Sequence, residues 1–233
     1  MKIAILGYGK MGKTIERFAV QKGHSIVYKS GSDFIEGTLS EADVAIEFST
    51  PKTAATNILA CFDLGIPVVS GTTGWLDAFE EVLRKCEDCN GSFVYASNFS
   101  IGMNLFFKLN AYASTLLSPW KEYKVSIEEI HHTQKKDAPS GSAISLAKGI
   151  IQHSNKVGWK LGKATDNEIE ITAKRIEDVK GTHIVSYESP IDSLSLKHEA
   201  HSRDGFAVGA IIAAEWLQNK KGVYTMDDVL QIK

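Results

Sequence analysis

The sequence predicts an α/β domain, then a second domain built on a mixed or antiparallel sheet, with an apolar helix closing the chain. Three observations carry that expectation. Over the first hundred residues, short apolar runs alternate with amphipathic stretches at βαβ spacing. Between about residues 124 and 200 the runs instead alternate apolar and polar side chains, as strands with one solvated face do. No internal repeat and no Pro-, Gly- or Ser-rich linker divides the chain, and 233 residues suffice for one large core or two modest ones.

Taken in order, KIAIL (2–6) is a fully apolar strand, and MGKTIERFAVQK (11–22) places Ile15, Phe18 and Ala19 at helical spacing, with Gly23 where a C-terminal cap belongs. HSIVY, DVAIEF, PVVSG and SFVYA are four further strands, ending near residues 28, 48, 71 and 96. PKTAATNILACFDLG and WLDAFEEVLRKCED are helices between them, with Pro51 in the first turn of the former. Such hydrophobic strands imply a parallel sheet covered on both faces. IGMNLFFKLNAYASTLL then forms one long helix. KVSIEEIHH, EIEITAKRI, THIVSYES and SLSLKHEAHS are β-like, and DAPSGSAISLAKGIIQ interrupts them as a turn feeding a helix. FAVGAIIAAEWLQNKKG is the closing helix, able to pack on either domain.

Composition narrows the function. At 43% hydrophobic and 23% charged residues the chain is an ordinary soluble globular protein. A net charge of −2 argues against nucleic acid or an anionic membrane as partner. The opening apolar run, residues 3–6, is too short for a signal or membrane segment. Three cysteines describe no disulfide framework, so a cytoplasmic location is expected. Cys86 and Cys89 have C-x-x-C spacing, but Cys61 alone cannot complete a zinc site. They are expected as solvent-facing or half-buried thiols near a helix end, and no metal site is expected.

The stretch GYGKMGKT (7–14) fits two motifs. As G-x-G-x-x-G (Gly7, Gly9, Gly12) it is a dinucleotide-binding turn, and as G-x-x-x-x-G-K-T it is a P-loop. Both put backbone N–H groups and a helix N-terminus against phosphate. The P-loop reading has Glu47 as a candidate magnesium ligand but gives Gly9 no purpose, and it leaves SGTTG (70–74) and the adjacent histidines 131–132 without roles. The dinucleotide reading uses the first strand, the loop and the first helix together. It lacks one feature: Lys29 and Ser30 stand where a ribose-binding acid is expected, and Asp33 comes late. A lysine and a hydroxyl there lean toward NADPH over NADH.

EEIHHTQKKDAPSGSA (128–143) carries the chemistry. Adjacent histidines at a strand end point to opposite faces, which gives them different roles. A histidine donates a proton near neutral pH, a nearby lysine is a cationic acid and anion clamp, and Gly141 and Ser142 at a helix start can receive a carboxylate. Together they make an anion-binding, proton-donating site.

At this point the chain resembles the dihydrodipicolinate reductase family from end to end, through GYGKMGK, EFSTP, SGTTG, SNFSIGMN (97–104), HHTQKKDAPSGSA and HEAHSRDGFAVGA (198–210). The resemblance implies NADH- or NADPH-dependent reduction of a cyclic dicarboxylate in lysine and diaminopimelate biosynthesis. It implies His131 as proton donor and acceptor and Lys135 as second proton donor, with His132, Gly141 and Ser142 on the substrate carboxylates. Lys136 is expected as a solvated neighbour. The cofactor is then held by Gly7, Tyr8, Gly9, Lys10, Met11 and Gly12, by Gly71, Thr72 and Thr73, and by Ala96, Ser97, Asn98 and Phe99, with Lys29 and Ser30 at its ribose. The family's architecture implies a Rossmann-type domain over 1–100, rejoined by the helix of about 206–233. It also implies a substrate-binding and oligomerisation domain over 101–205 that builds a homotetramer. Two departures, a short segment after the second strand and the missing ribose acid, bear on cofactor preference. A P-loop NTPase and a non-catalytic dinucleotide sensor stand as alternatives; a sensor has no need of His131 and Lys135 beside an anion-binding helix start.

Overall fold

The computed structural model describes residues 1–232. The chain divides into two compact units, Met1–Ile101 together with the segment from Asp204 onward, and Gly102–Arg203.

The first unit starts with β1 (Lys2–Leu6), α1 (Lys10–Gln21), β2 (Ser25–Ser30), β3 (Ile35–Gly37), β4 (Val44–Glu47), α2 (Ala54–Asp63), β5 (Val68–Ser70), α3 (Phe79–Asp88) and β6 (Ser92–Tyr95). The second unit is built of α4 (Ile101–Leu117), β7 (Lys124–His131), α5 (Gly141–Gln152), β8 (Gly158–Leu161), β9 (Glu168–Arg175), β10 (Thr182–Glu188) and β11 (Ser193–Glu199). The chain then returns to the first unit as α6 (Asp204–Leu217), β12 (Gly222–Tyr224) and α7 (Met226–Val229).

In the first unit seven strands run in the order β12-β6-β5-β4-β1-β2-β3, all pairs parallel except the β2–β3 hairpin. Alternation along β1 explains how both faces are covered. Ile3 and Ile5 join Ile15 and Ala19 of α1 and Ala210, Ile211 and Ala214 of α6 on one face. Ala4 and Leu6 join Ile58 and Phe62 of α2, Val82 of α3 and Phe93 on the other. Gly209 lets α6 lie against the segment after β6, since a Cβ there would fall 1.8 Å from the Phe99 carbonyl oxygen.

The second unit has a mixed sheet of order β11-β10-β7-β9-β8, in which β7–β9 and β8–β9 are parallel and β10 is antiparallel to both neighbours. Inward residues Val125 and Ile127 of β7, Ile169 and Ile171 of β9, and Val185 and Tyr187 of β10 pack on Met103 and Phe106 of α4 and Leu146 and Ile150 of α5.

Several expectations need correction. The short strands β3, β8 and β12 are not among those read from the sequence. Pro51 is not in a helix: it sits in the turn before α2, where the Thr53 and Ala54 amides both donate to the Thr50 carbonyl. Cys86 is fully buried on the apolar side of α3, and burial pushes its thiol up to about 11, whereas Cys89 is exposed beyond the helix end. β7 ends at His131, so His132 belongs to the following loop and the strand alternation does not extend to it.

Candidate active site

The first unit collects its loops at the carboxyl ends of parallel strands, where α/β sheets bind ligands. Gly7 (φ +99°) makes the turn after β1, and a Cβ on it would collide with the Phe48 backbone at 2.1 Å. Gly12 lets α1 approach that turn, since its Cβ would meet the Gly7 carbonyl oxygen at 2.4 Å. Gly9 differs: among the described residues nothing beyond its own chain neighbours lies within 4 Å of where its Cβ would be. The protein leaves that direction open, as a glycine admitting pyrophosphate requires. The Gly7 and Tyr8 amides donate to the Ser30 carbonyl, at 3.0 and 2.8 Å, so the N–H groups left to face an anion at this turn are those of α1's first turn, Lys10, Met11 and Gly12. No side chain caps that helix start.

The P-loop reading loses its parts here. Glu47, its magnesium ligand, is fully buried. It accepts hydrogen bonds from the Ser49 amide (2.9 Å), the Ser49 hydroxyl, the Thr72 hydroxyl (2.9 Å) and the Ser70 hydroxyl (2.7 Å). Thr14 donates its hydroxyl back to the Lys10 carbonyl at 3.0 Å.

The remaining residues at these loops divide by direction. Gly71 is bare because the Phe48 ring lies 2.2 Å from its would-be Cβ. The Thr72 and Phe99 side chains turn into the interior, so only their main chains can face a ligand, whereas Thr73 and Ser97 are exposed. Ala96 donates its amide to the Ser70 carbonyl at 3.3 Å, and the Asn98 side chain accepts the Ser100 amide at 2.9 Å. Lys29 is not the unattached cation the sequence suggests. Its ammonium lies 3.2 Å from Glu36, its direct partner on β3, and 3.4 Å from Glu16 of α1. Glu36 foremost, with Glu16, raises Lys29 above the ordinary lysine range. Tyr8 donates its hydroxyl to Glu16 as well.

The second unit brings His131, His132, Lys135, Gly141 and Ser142 onto one stretch between β7 and α5, and adds residues the sequence reading missed. On β7 the inward positions are Val125, Ile127, Glu129 and His131, so a carboxylate and an imidazole continue an apolar row. Glu129 is fully buried. Its Oε1 accepts the Ser140 amide and the Arg175 guanidinium, both at 3.1 Å, and its Oε2 stands 3.1 Å from His131 Nδ1. His183, opposite Glu129 across the β7–β10 pair, has its Nε2 at 4.0 Å from the same oxygen and 3.2 Å from the Ser140 hydroxyl. Burial alone would raise the Glu129 carboxyl, but His131, the Ser140 amide and Arg175 overcome it and hold it at about 2. Burial, reinforced by His131, brings His183 down to about 4, so it is a neutral imidazole at physiological pH.

Glu129, His131 and His183 place one ligand atom each within 4.8 Å of one another, the donor set of a divalent metal. The Glu129 charge is, however, already met by Arg175, and a dication beside that guanidinium would be repelled. The cluster is therefore better suited to handling protons than to holding a metal.

The loop after β7 is tied to the same centre. Arg175 donates to the carbonyls of Lys135 (3.2 Å) and Asp137 (2.6 Å), and the Lys135 ammonium bridges both Asp137 oxygens at 2.8 Å. Lys136 is exposed. Ser140 caps α5 by accepting the Ala143 amide, and the Cβ direction of Gly141 is open. Arg203 donates to His132 Nε2 at 2.7 Å, and desolvation followed by Arg203 pushes that imidazole's pKa down. His132, Thr133, Gln134, Lys180 and Arg203 line a cavity of about 420 Å³, within the range of small-molecule sites. Next to His131, Gly181 keeps the ring's other edge clear: a Cβ there would lie 3.3 Å from His131 Nε2.

Comparison with known proteins places this geometry in a family. Residues 1–99 match the model for the N-terminus of dihydrodipicolinate reductase, and residues 102–230 match the model for its C-terminus. The 4-hydroxy-tetrahydrodipicolinate reductase of Christiangramia forsetii is 51% identical over 233 residues, covering 99% of this chain and 98% of that protein. The enzyme of the same name from Archaeoglobus fulgidus is 33% identical over 261 residues, covering 99% and 100%. In fold, the chain is similar to a dipicolinate-bound dihydrodipicolinate reductase from Paenisporosarcina sp. TG-14, with a TM-score of 0.81 at 22% identity and 97% coverage of each chain. The chain belongs to the dihydrodipicolinate reductase family, pyridine-nucleotide-dependent oxidoreductases with a Rossmann-type sheet.

Proposed function

We propose that this family member reduces 4-hydroxy-tetrahydrodipicolinate to tetrahydrodipicolinate, in the route to diaminopimelate and lysine. The observation that carries the reading is the buried Glu129–His131 pair at the end of β7, next to Lys135 and the open start of α5. A reduced nicotinamide, when bound at the glycine turn, supplies the hydride. The α1 amides of Lys10, Met11 and Gly12 would hold the pyrophosphate, with the loops at 71–73 and 96–99 completing the cofactor site of the first unit. In the second unit His131 gives the proton through Nε2 and Lys135 gives or holds the second. The ring hydroxyl, protonated as it departs, leaves as water with loss of one ring proton, and the hydride and one proton then add to the ring. Of the two protons given one is recovered, so the net uptake is one hydride and one proton. His132, Gly141 and Ser142 hold the substrate carboxylates, and Arg203 joins them as the permanent cation that a neutral His132 lacks.

The choice of cofactor turns on Lys29. With Glu16 and Glu36 on its ammonium, Lys29 has no uncompensated charge to offer a 2′-phosphate. We therefore infer that NADH binds at least as tightly as NADPH, against the lean the bare sequence suggests. Cysteine usage favours the cytoplasm, where such a biosynthetic enzyme works; among the described residues no helix is long and apolar enough to cross a membrane. Assembly as a homotetramer through the second unit is supported by the apolar side chains that unit exposes, Leu105, Leu109, Tyr112 and Leu116 along α4 and Ile191 after β10. Light scattering on the eluted protein reads that mass directly.

The deciding experiment supplies the condensation product of pyruvate and aspartate semialdehyde and follows nicotinamide oxidation. Turnover is expected with NADH and NADPH. No turnover with either overturns the reading.

A further inference from the structure

We propose that Glu129 is the positioning residue of this site: its buried carboxylate fixes the Nδ1–H tautomer of His131 and, through Ser140 and Arg175, holds the loop that carries Lys135. The inference rests on the functional reading above for the identity of the proton donor, but its geometry stands by itself.

A carboxylate excluded from water costs several kcal/mol unless cations and hydrogen bonds compensate it, so a fully buried one calls for a reason. Stapling β7 to β9 would need only the Arg175 contact to Oε1. The second oxygen does something else: it lies within ion-pair distance, 3.1 Å, of His131 Nδ1, and among the described residues both atoms are buried with no hydrogen-bond partner elsewhere to claim them. An acceptor-only carboxylate beside Nδ1 places the ring proton there and leaves Nε2, on the Gly181 side, to take and give the catalytic proton. The first oxygen governs the loop. Ser140 begins α5, and Arg175, oriented by Glu129, grips the carbonyls of Lys135 and Asp137. One carboxylate thus sets the proton donor at one end of the loop and the helix start at the other.

Glu129→Gln isolates the tautomer effect. The Ser140 amide and Arg175 are both donors, so they retain the amide oxygen and turn its NH₂ group toward His131. A donor facing Nδ1 forces the imidazole into the Nε2–H form. The ring ¹⁵N resonances of His131, assigned by their loss in His131→Gln, are therefore expected to report Nδ1–H in the wild type at alkaline pH and Nε2–H in the variant. In the assay kcat should fall at least about 100-fold with KM changed less than about threefold, as when a triad carboxylate becomes an amide. Glu129→Asp, which keeps the charge, should recover part of kcat. A wild-type Nε2–H tautomer, an unchanged tautomer in Glu129→Gln, or an unchanged kcat overturns the proposal. If Glu129→Gln fails to fold, the wild-type spectrum alone decides. The spectrum needs neither substrate nor cofactor, so an inactive wild type would sink the functional reading and leave this test intact.

Discussion

Glu47 and Glu129 are two fully buried carboxylates at or near the carboxyl ends of inner strands, one in each unit, and they differ in what surrounds them. Glu47 is held by an amide and three hydroxyls, donors whose charge does not change near neutral pH. It ties the loop after β4 to the end of β5 and the loop that follows. Glu129 is held by a guanidinium, an amide and an imidazole, with a second imidazole close by. Burial of an acid is thus no mark of chemistry. The partners decide: neutral donors make a clamp, and titratable ones allow the proton transfer proposed above.

Replacing the proposed proton donors should break the comparison most visibly. His131→Gln and Lys135→Ala are each expected to lower kcat about 10²–10⁴-fold while NADH affinity, read by fluorescence titration, stays within about twofold. Full activity in both variants would remove the second unit's claim to the chemistry.

A change at Glu47 should appear in stability. Glu47→Ala leaves the Ser49 amide and the Ser70 and Thr72 hydroxyls without their acceptor, at a cost of about 2–4 kcal/mol in urea denaturation. The His131 tautomer should not move. A shifted tautomer, or unchanged stability, would erase the distinction drawn between the two acids.

Acid separates the units further. His183 is depressed to about 4 from 6.5, so the unfolded chain binds its proton first; this contribution is complete above about pH 6.5 and lost as pH falls toward 4. Glu129, at about 2 against 4.5, adds stability above 4.5 that is lost below it. Thermal unfolding followed from pH 7 to 4 should therefore show a falling Tm, and His183→Asn should flatten the upper part of that fall. An identical slope in the variant would exclude His183 as its source.

The smallest effect concerns the cofactor end. Glu36→Gln frees part of the Lys29 charge at a largely exposed site and should shift relative affinity toward NADPH by about three- to tenfold. No shift would mean that Lys29 does not reach the ribose.

How much of this was legible in the sequence depended on where the stabilising contacts come from. α4 has the bounds its seventeen-residue apolar run suggests, because the pattern itself decides it. β3, β8 and β12 are three or four residues long, and each sits at or next to a sheet edge; their neighbours make them strands. Membership of the reductase family was readable from HHTQKKDAPSGSA and the glycine turn. The position of Glu129 was readable too, because it shares parity with Ile127 and His131 on β7. Its partners were not. Arg175 and His183 reach it from 46 and 54 residues further along, through pairings of β7 with β9 and β10, and no local pattern announces those registers. Lys29 misled for the same reason: Glu16 and Glu36 neutralise it from other elements.

Strand register has a further consequence. Val125, Ile127, Glu129 and His131 share one face of β7, so the side chains that anchor the apolar interior and those proposed to handle protons stand in a single file. A slip of one residue along β10 or β9 would send the whole file outward at once. Catalytic competence and a closed core are therefore one event in the folding of this unit. A single-residue deletion at the start of β7 that shifts its register is expected to cost core packing and activity together.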